Sequence, residues 1–185
     1  MIGRKKNVLV VVDMQNDFTT GVLGNAECVS AIEKVRDVIA NGDYDEIIFT
    51  MDTHQDGYLD TQEGRRLPVA HCIEGTEGHK IVQSLVDEAT HLPCDTTFIM
   101  KPTFGSFELA DHLKDLFYYP SMQREATIDF VGVCTGICVI SNVMITKAAL
   151  PEATVRVIED ACACVTPESH NTAINAMRTC QVDVI

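Results

Sequence analysis

An acid, a lysine and a thiol recur in this chain at one kind of place, directly after a short apolar run. Asp13 closes VLVVV, Lys101 closes TTFIM, and Cys134 and Cys138 follow the run 126–133 in VGVCTGICV. A cysteine attacks as its thiolate, and a nearby cation or a helix start favours that form. Lys101 is placed to supply the cation, and Asp13 to take the thiol proton and return it to a leaving amine. Backbone N–H groups of the turn from Cys134 to Cys138 offer an oxyanion hole. Together these parts describe attack on a carbonyl, a thioester acyl-enzyme, then hydrolysis. The same residues also suit a plain structural role, with Asp13 capping a turn, Lys101 solvated and Cys138 filling core.

A second group lies in MDTHQDGYLDTQEGRRLPVAHC, residues 51–72. Asp52, His54, Asp60, Glu63 and His71 are carboxylates and imidazoles of the kind that hold Zn²⁺, Fe²⁺ or Mn²⁺. Loop acids and histidines are also commonly just solvated, so spacing alone leaves both readings open.

The elements that must carry these residues alternate. Strands are expected over Asn7–Val12, Glu46–Met51, Thr96–Met100, Ala126–Val133, Thr154–Ile158 and Gln181–Ile185. Helical spacing of apolar residues predicts helices over Cys28–Ala40, Gly78–Ala89, Ser106–Phe117 and Pro167–Thr179, with a further one opening near Cys138 and running to about Ala148. Ser106 and Thr166 are the expected N-caps, and Pro167 suits a first helical position. This alternation predicts an α/β fold: a three-layer, doubly wound, six-stranded parallel sheet with helices on both faces. Such sheets gather ligand groups at the carboxyl ends of their strands. Asp13, Asp52, Lys101 and Cys134–Cys138 would then share one rim.

The 185 residues suit one domain spanning 1–185, and 46% are hydrophobic. The net charge of -13 argues against nucleic acid or an anionic membrane as partner. The apolar run Val8–Val12 is too short for a membrane span or a signal-peptide core, which predicts a cytoplasmic chain. Eight cysteines without any CxxC pair read as free thiols. Cys28, Cys94, Cys162, Cys164 and Cys180 are expected to be packing residues, His79, His91 and His112 surface residues, and His170 a surface or interface residue. Asn16, close behind Asp13, suits either a turn or the orientation of a metal-bound water.

VVDMQNDF at 11–18, Lys101 in FIMKPTFGSF and VGVCTGICV at 131–139 resemble, in order, the three signature segments of the isochorismatase-like cysteine hydrolases. That family includes nicotinamidases, N-carbamoylsarcosine amidase and ureidoacrylate amidohydrolases, and the resemblance runs from residue 8 to the end of the chain. It implies a catalytic triad of Asp13, Lys101 and Cys138, with Cys138 as nucleophile. It also implies a cis peptide just before Cys134, whose N–H joins that of Cys138 in the oxyanion hole; the Cys134 side chain is then incidental. The ether-cleaving members that act on isochorismate lack this cysteine, so Cys138 points to an amidase. Gly136 stands where the family usually has Asp.

The resemblance further implies metal ligands at Asp52, His54 and His71, with Glu63 as the fourth and Asp60 as its alternative. The metal, zinc first, would hold the pyridine nitrogen of nicotinamide. Phe18 and Leu67 fall where relatives line the substrate pocket, although nicotinamidases usually carry Trp near Leu67 and this chain has none. The expected reaction is nicotinamide to nicotinate plus ammonia. The alternatives are another small amide or carbamoyl compound, or a binding module without turnover. A homo-oligomer is expected by the same analogy.

Overall fold

A computed structural model describes residues 6–185. Six strands, all parallel, form one sheet in the order β3-β2-β1-β4-β5-β6. They are β1 (Lys6–Val12), β2 (Glu46–Asp52), β3 (Asp95–Lys101), β4 (Ala126–Val133), β5 (Thr154–Ala163) and β6 (Asp183–Val184). The helices are α1 (Asn16–Thr19), α2 (Ala26–Asn41), α3 (Gln83–Thr90), α4 (Phe107–Leu116), α5 (Pro120–Gln123), α6 (Ile140–Ala149) and α7 (Pro167–Thr179). The order reverses between β1 and β4, and the ends of these two strands carry Asp13 and Cys134. That is the switch point where open α/β sheets take ligands.

Strand side chains alternate between faces, and β1 shows the division. Val8, Val10 and Val12 pack with Leu109 and Leu113 of α4, Val143 of α6, and Ile174 and Met177 of α7. Leu9 and Val11 pack with Ala31, Val35 and Ile39 of α2 and Leu85 of α3. A strand apolar on both faces belongs in the middle of a covered parallel sheet. The expected caps are present: Ser106 accepts from the Leu109 N–H, and Thr166 from the Ser169 N–H.

Several expected elements differ in extent; the last strand, expected over Gln181–Ile185, is only Asp183–Val184. The helix read over Gly78–Ala89 begins only at Gln83, because Ile81 forms a bridge with Gln15 and Val82 N–H donates to the Met14 carbonyl. The helix after Cys134 opens with a wide π turn over Thr135–Val139, and Cys138 lies inside that turn rather than at a regular helix start. β5 runs to Ala163, five residues past its expected end. From Phe130 to Gly132 β4 advances two residues, whereas β5 advances five from Val157 to Cys162. Glu159 and Asp160 lie in this bulge, which masks the strand in the sequence pattern.

Gly132 sets the approach of β1 to β4. Its φ is +114°, and a Cβ there would lie 2.2 Å from the Val12 carbonyl oxygen. No side chain fits that space, and the contact is to backbone of the strand carrying Asp13. Gly132→Ala is expected to cost about 3 kcal/mol or more, lowering the melting temperature by roughly 6–12 °C. A thermal melt matching that of the unchanged protein would refute this account.

Candidate active site

Asp13, Lys101 and Cys138 meet at the carboxyl end of the sheet, 0, 1 and 5% exposed. Asp13 follows β1 with φ +49°, a left-handed conformation uncommon outside glycine. Such backbone persists where surrounding bonds hold it. The Asp13 N–H donates to the Thr50 carbonyl at 3.2 Å, and Thr50 Oγ1 donates to Asp13 Oδ1 at 2.7 Å. Lys101, the last residue of β3, places Nζ 2.6 Å from Asp13 Oδ2 and 3.6 Å from Asp52 Oδ1. It also donates to the Thr103 carbonyl at 3.1 Å.

These contacts set the protonation of the site. Burial pushes the Asp13 carboxyl up, against the pull of Lys101. Lys101 is held above the usual lysine range: burial opposes its charge, but Asp13, Cys138 and Asp52 outweigh it. Cys138 departs from the expectation of a lowered thiol. Burial raises it, Asp13 adds to the rise, and Lys101 only partly offsets them. The Cys138 thiol therefore rests protonated, near Asp13, a carboxylate whose raised pKa makes it a better proton acceptor.

The peptide between Val133 and Cys134 is cis. The Cys134 carbonyl accepts the N–H groups of Ile137 and Val139, which closes the π turn around Cys138.

The second group borders the first through Asp52. The ligand atoms of Asp52, His54 and His71 lie within 4.8 Å of one another, and all three residues are buried. His71 Nδ1 donates to the Val69 carbonyl at 2.8 Å, which turns Nε2 toward Asp52 Oδ2, 3.4 Å away. His54 Nε2 lies 3.0 Å from Asp52 Oδ2, yet it and Asp52 Oδ1 are buried without a hydrogen-bond partner. Burial would raise the Asp52 carboxyl, but His54, His71 and Lys101 hold it below the usual range. A buried, unpartnered His54 Nε2 beside Asp52 Oδ2 and His71 fits a bound cation. Glu63 Oε1 is 3.8 Å from His54 Nε2, outside the tight group but beside it. Asp60 is exposed, and its carbonyl, rather than its carboxylate, is engaged, by Arg65. The Phe18 ring sits 5.4 Å from that of His71, whereas the Leu67 side chain is exposed.

Sequence reading missed four residues that hold this site. Tyr58 is buried against His54 and His71, with ring centroids 4.6 and 4.9 Å away, and its hydroxyl donates to the Leu67 carbonyl at 3.0 Å. The Gln15 amide donates to the carbonyls of Asp52 and His79 and accepts the Asp52 N–H. Asn142 donates to the carbonyls of Cys138 and Phe104 and accepts the Ser106 N–H. Asp17 accepts the N–H of Cys72, itself at φ +46°. A signal for Asn142 was its place four residues after Cys138, a polar side chain in an apolar helix. His79, expected at the surface, is buried, with Nε2 2.9 Å from Thr53 Oγ1. Asn16 donates to the Glu77 carbonyl, a loop-fixing bond.

Fold and site define an α/β protein whose acid, lysine and thiol converge at the switch point of a parallel sheet. The Isochorismatase domain family model matches residues 7–185, and the chain belongs to that family, an isochorismatase-like hydrolase. Among solved structures it is similar to a nicotinamidase from Bacillus subtilis, at 24% identity and a TM-score of 0.76, covering 97% of this chain and 98% of that one. A Pyrococcus horikoshii pyrazinamidase in complex with zinc gives the same figures, 24% identity, TM-score 0.76 and coverage of 97 and 98%. A protein from L. infantum in complex with nicotinate is 16% identical, with a TM-score of 0.77 over 100% of this chain and 94% of that one. The search of curated proteins gave no match. No described helix is long and apolar enough to cross a membrane.

Lys101 is the buried cation between two buried carboxylates. Lys101→Met is expected to destabilise the fold by about 3–5 kcal/mol, because it strands the charge of Asp13. Adding Asp13→Asn to that variant should recover part of the loss. Urea unfolding of the four proteins checks this, and strict additivity would overturn the coupling.

Proposed function

We propose that the protein is a cysteine-dependent amidohydrolase of small carboxamides, with nicotinamide as the leading substrate. The observation that carries this reading is the burial of Asp13, Lys101 and Cys138 together, with Lys101 2.6 Å from Asp13. Asp13 takes the thiol proton as sulfur attacks the carbonyl carbon, and Lys101 holds Asp13 in place and offsets the charge. The oxyanion points to the N–H groups of Cys134 and Cys138. Asp13 then gives its proton to the departing ammonia, leaving a thioester. Water attacks the thioester with Asp13 as base, and the acid and free thiol are released.

Asp52, His54 and His71, with Glu63 beside them, would hold a divalent metal, zinc first. When bound, the metal supplies a Lewis acid able to grip a ring nitrogen and orient the amide. The Phe18 ring against His71 suits a flat heteroaromatic neighbour. A second reading, a carbamoyl or ureido compound, is favoured by the exposed Leu67 and the lack of Trp, which leave less aromatic wall for a ring.

Ammonia release across nicotinamide, pyrazinamide, a carbamoyl amine and ureidoacrylate separates these. Nicotinamide turnover is expected, falling by about a thousandfold or more in Cys138→Ser. Undiminished activity in that variant would sink the assignment of the nucleophile. Elemental analysis is expected to find close to one equivalent of a transition metal, lost in His54→Ala/His71→Ala. Full activity with the protein essentially metal-free would refute the metal site.

A further inference from the structure

Three thiols converge behind the active-site turn, and the mechanism uses none of them. Val133 and Ala163 are paired across β4 and β5, so Cys134 and Cys164 leave neighbouring strand ends side by side. Neighbouring strands lie about 4.8 Å apart, inside the roughly 4.4–6.8 Å between α-carbons that a disulfide spans. Interaction with the Cys164 and Cys28 thiols pushes the Cys134 thiol up, and Cys134 packs in one cluster with Cys28 of α2. The Cys164 sulfur also lies 3.5 Å from where a Cβ on Gly136 would stand.

We infer that Cys134 and Cys164 form a redox pair that a small hydroperoxide oxidises to a disulfide, restraining the turn that carries Cys138. Cys164 is reachable although mostly buried. It lines a surface cavity of about 180 Å³ with Lys34 and His170, and an apolar one of about 500 Å³ with Ile137 and Val165. Its environment suits an attacking thiolate. Interaction with Cys134 lowers the Cys164 thiol to about 5 against the cost of burial, helped by Ser169 and the backbone of Gly136 and Val165. Cys134 is pushed up by the same interaction with Cys164, and so stays protonated.

In the first step the Cys164 thiolate attacks one oxygen of the hydroperoxide and the O–O bond breaks. The leaving oxygen takes a proton and departs as alcohol or water, which leaves Cys164 as a sulfenic acid. The Cys134 sulfur, losing its proton, then attacks the Cys164 sulfur, and the S–O bond breaks as water leaves. Two thiols have lost two electrons and two protons; one hydroperoxide has become one alcohol and one water. The bond ties the first residue of the turn to the loop after β5.

Native protein treated with hydrogen peroxide, denatured, alkylated and mapped by mass spectrometry tests the pair directly. The expected result is a Cys134–Cys164 linked peptide, reversed by dithiothreitol and absent in Cys164→Ser. Recovery of both cysteines as alkylated thiols, or a link from Cys134 to Cys28 instead, would overturn it. Ammonia release, which rests on the proposed amidase, reads the consequence: an at least about fivefold fall on oxidation in the unchanged protein. Cys164→Ser should keep its basal rate and escape that fall. Equal losses in both proteins would refute control through this pair, while the peptide map stands apart from the amidase reading.

Discussion

A single ammonium group, that of Lys101, holds the rim of this sheet together. It sits out of water 2.6 Å from Asp13 and within 3.6 Å of Asp52. Moving a charge out of water costs several kcal/mol, so none of the three is tolerable without the others. β2 and β3 end on Asp52 and Lys101, and Asp13 directly follows β1. The ends of three neighbouring strands are thus fixed by electrostatics where ladder hydrogen bonding stops. Cys138 enters from β4 and meets a charge pattern already built.

Asp52 joins what would otherwise be two sites. One oxygen faces Lys101 and the other faces His54 and His71. The described ionic groups at the junction are two carboxylates and one lysine, an excess of negative charge that the histidines only partly meet. An excess of that sign beside imidazoles is a cation-binding environment on general grounds. Gln15 fixes the alignment by gripping both backbone polar groups of Asp52. The acid–lysine–thiol group and the histidine group are consequently built at a set spacing.

Much of this was legible in the sequence. Alternating apolar runs mark all six strands, and the polar residues at the strand ends, Asp13, Asp52, Lys101 and Cys138, fall on one rim. Those readings rest on period and polarity, which local sequence carries. The thiol state of Cys138 was not legible: a helix start and a cation argue for lowering, and only the packed fold reveals burial strong enough to reverse it. Tyr58 and Gln15 were missed because a single aromatic or amide in a loop has no period. The bulge of β5 was missed because Glu159 and Asp160 look like a strand end. That bulge brings Cys164 beside Cys134, a proximity that depends on the register of two strands and not on any motif.

Asn142 carries a consequence for how such a chain can diverge. Its side chain is bonded to the carbonyl of Cys138, the carbonyl of Phe104 and the N–H of Ser106, while Lys101 grips the carbonyl of Thr103. The bridge from lysine to helix α4 is pinned at three of its residues. A residue added there shifts the pins against each other, so length in this bridge is close to frozen. Change is freer at Leu59, Asp60 and Leu67 in the stretch between β2 and α3, which face outward. The same fold can in this way hold its acid, lysine and thiol constant while an outward stretch wanders.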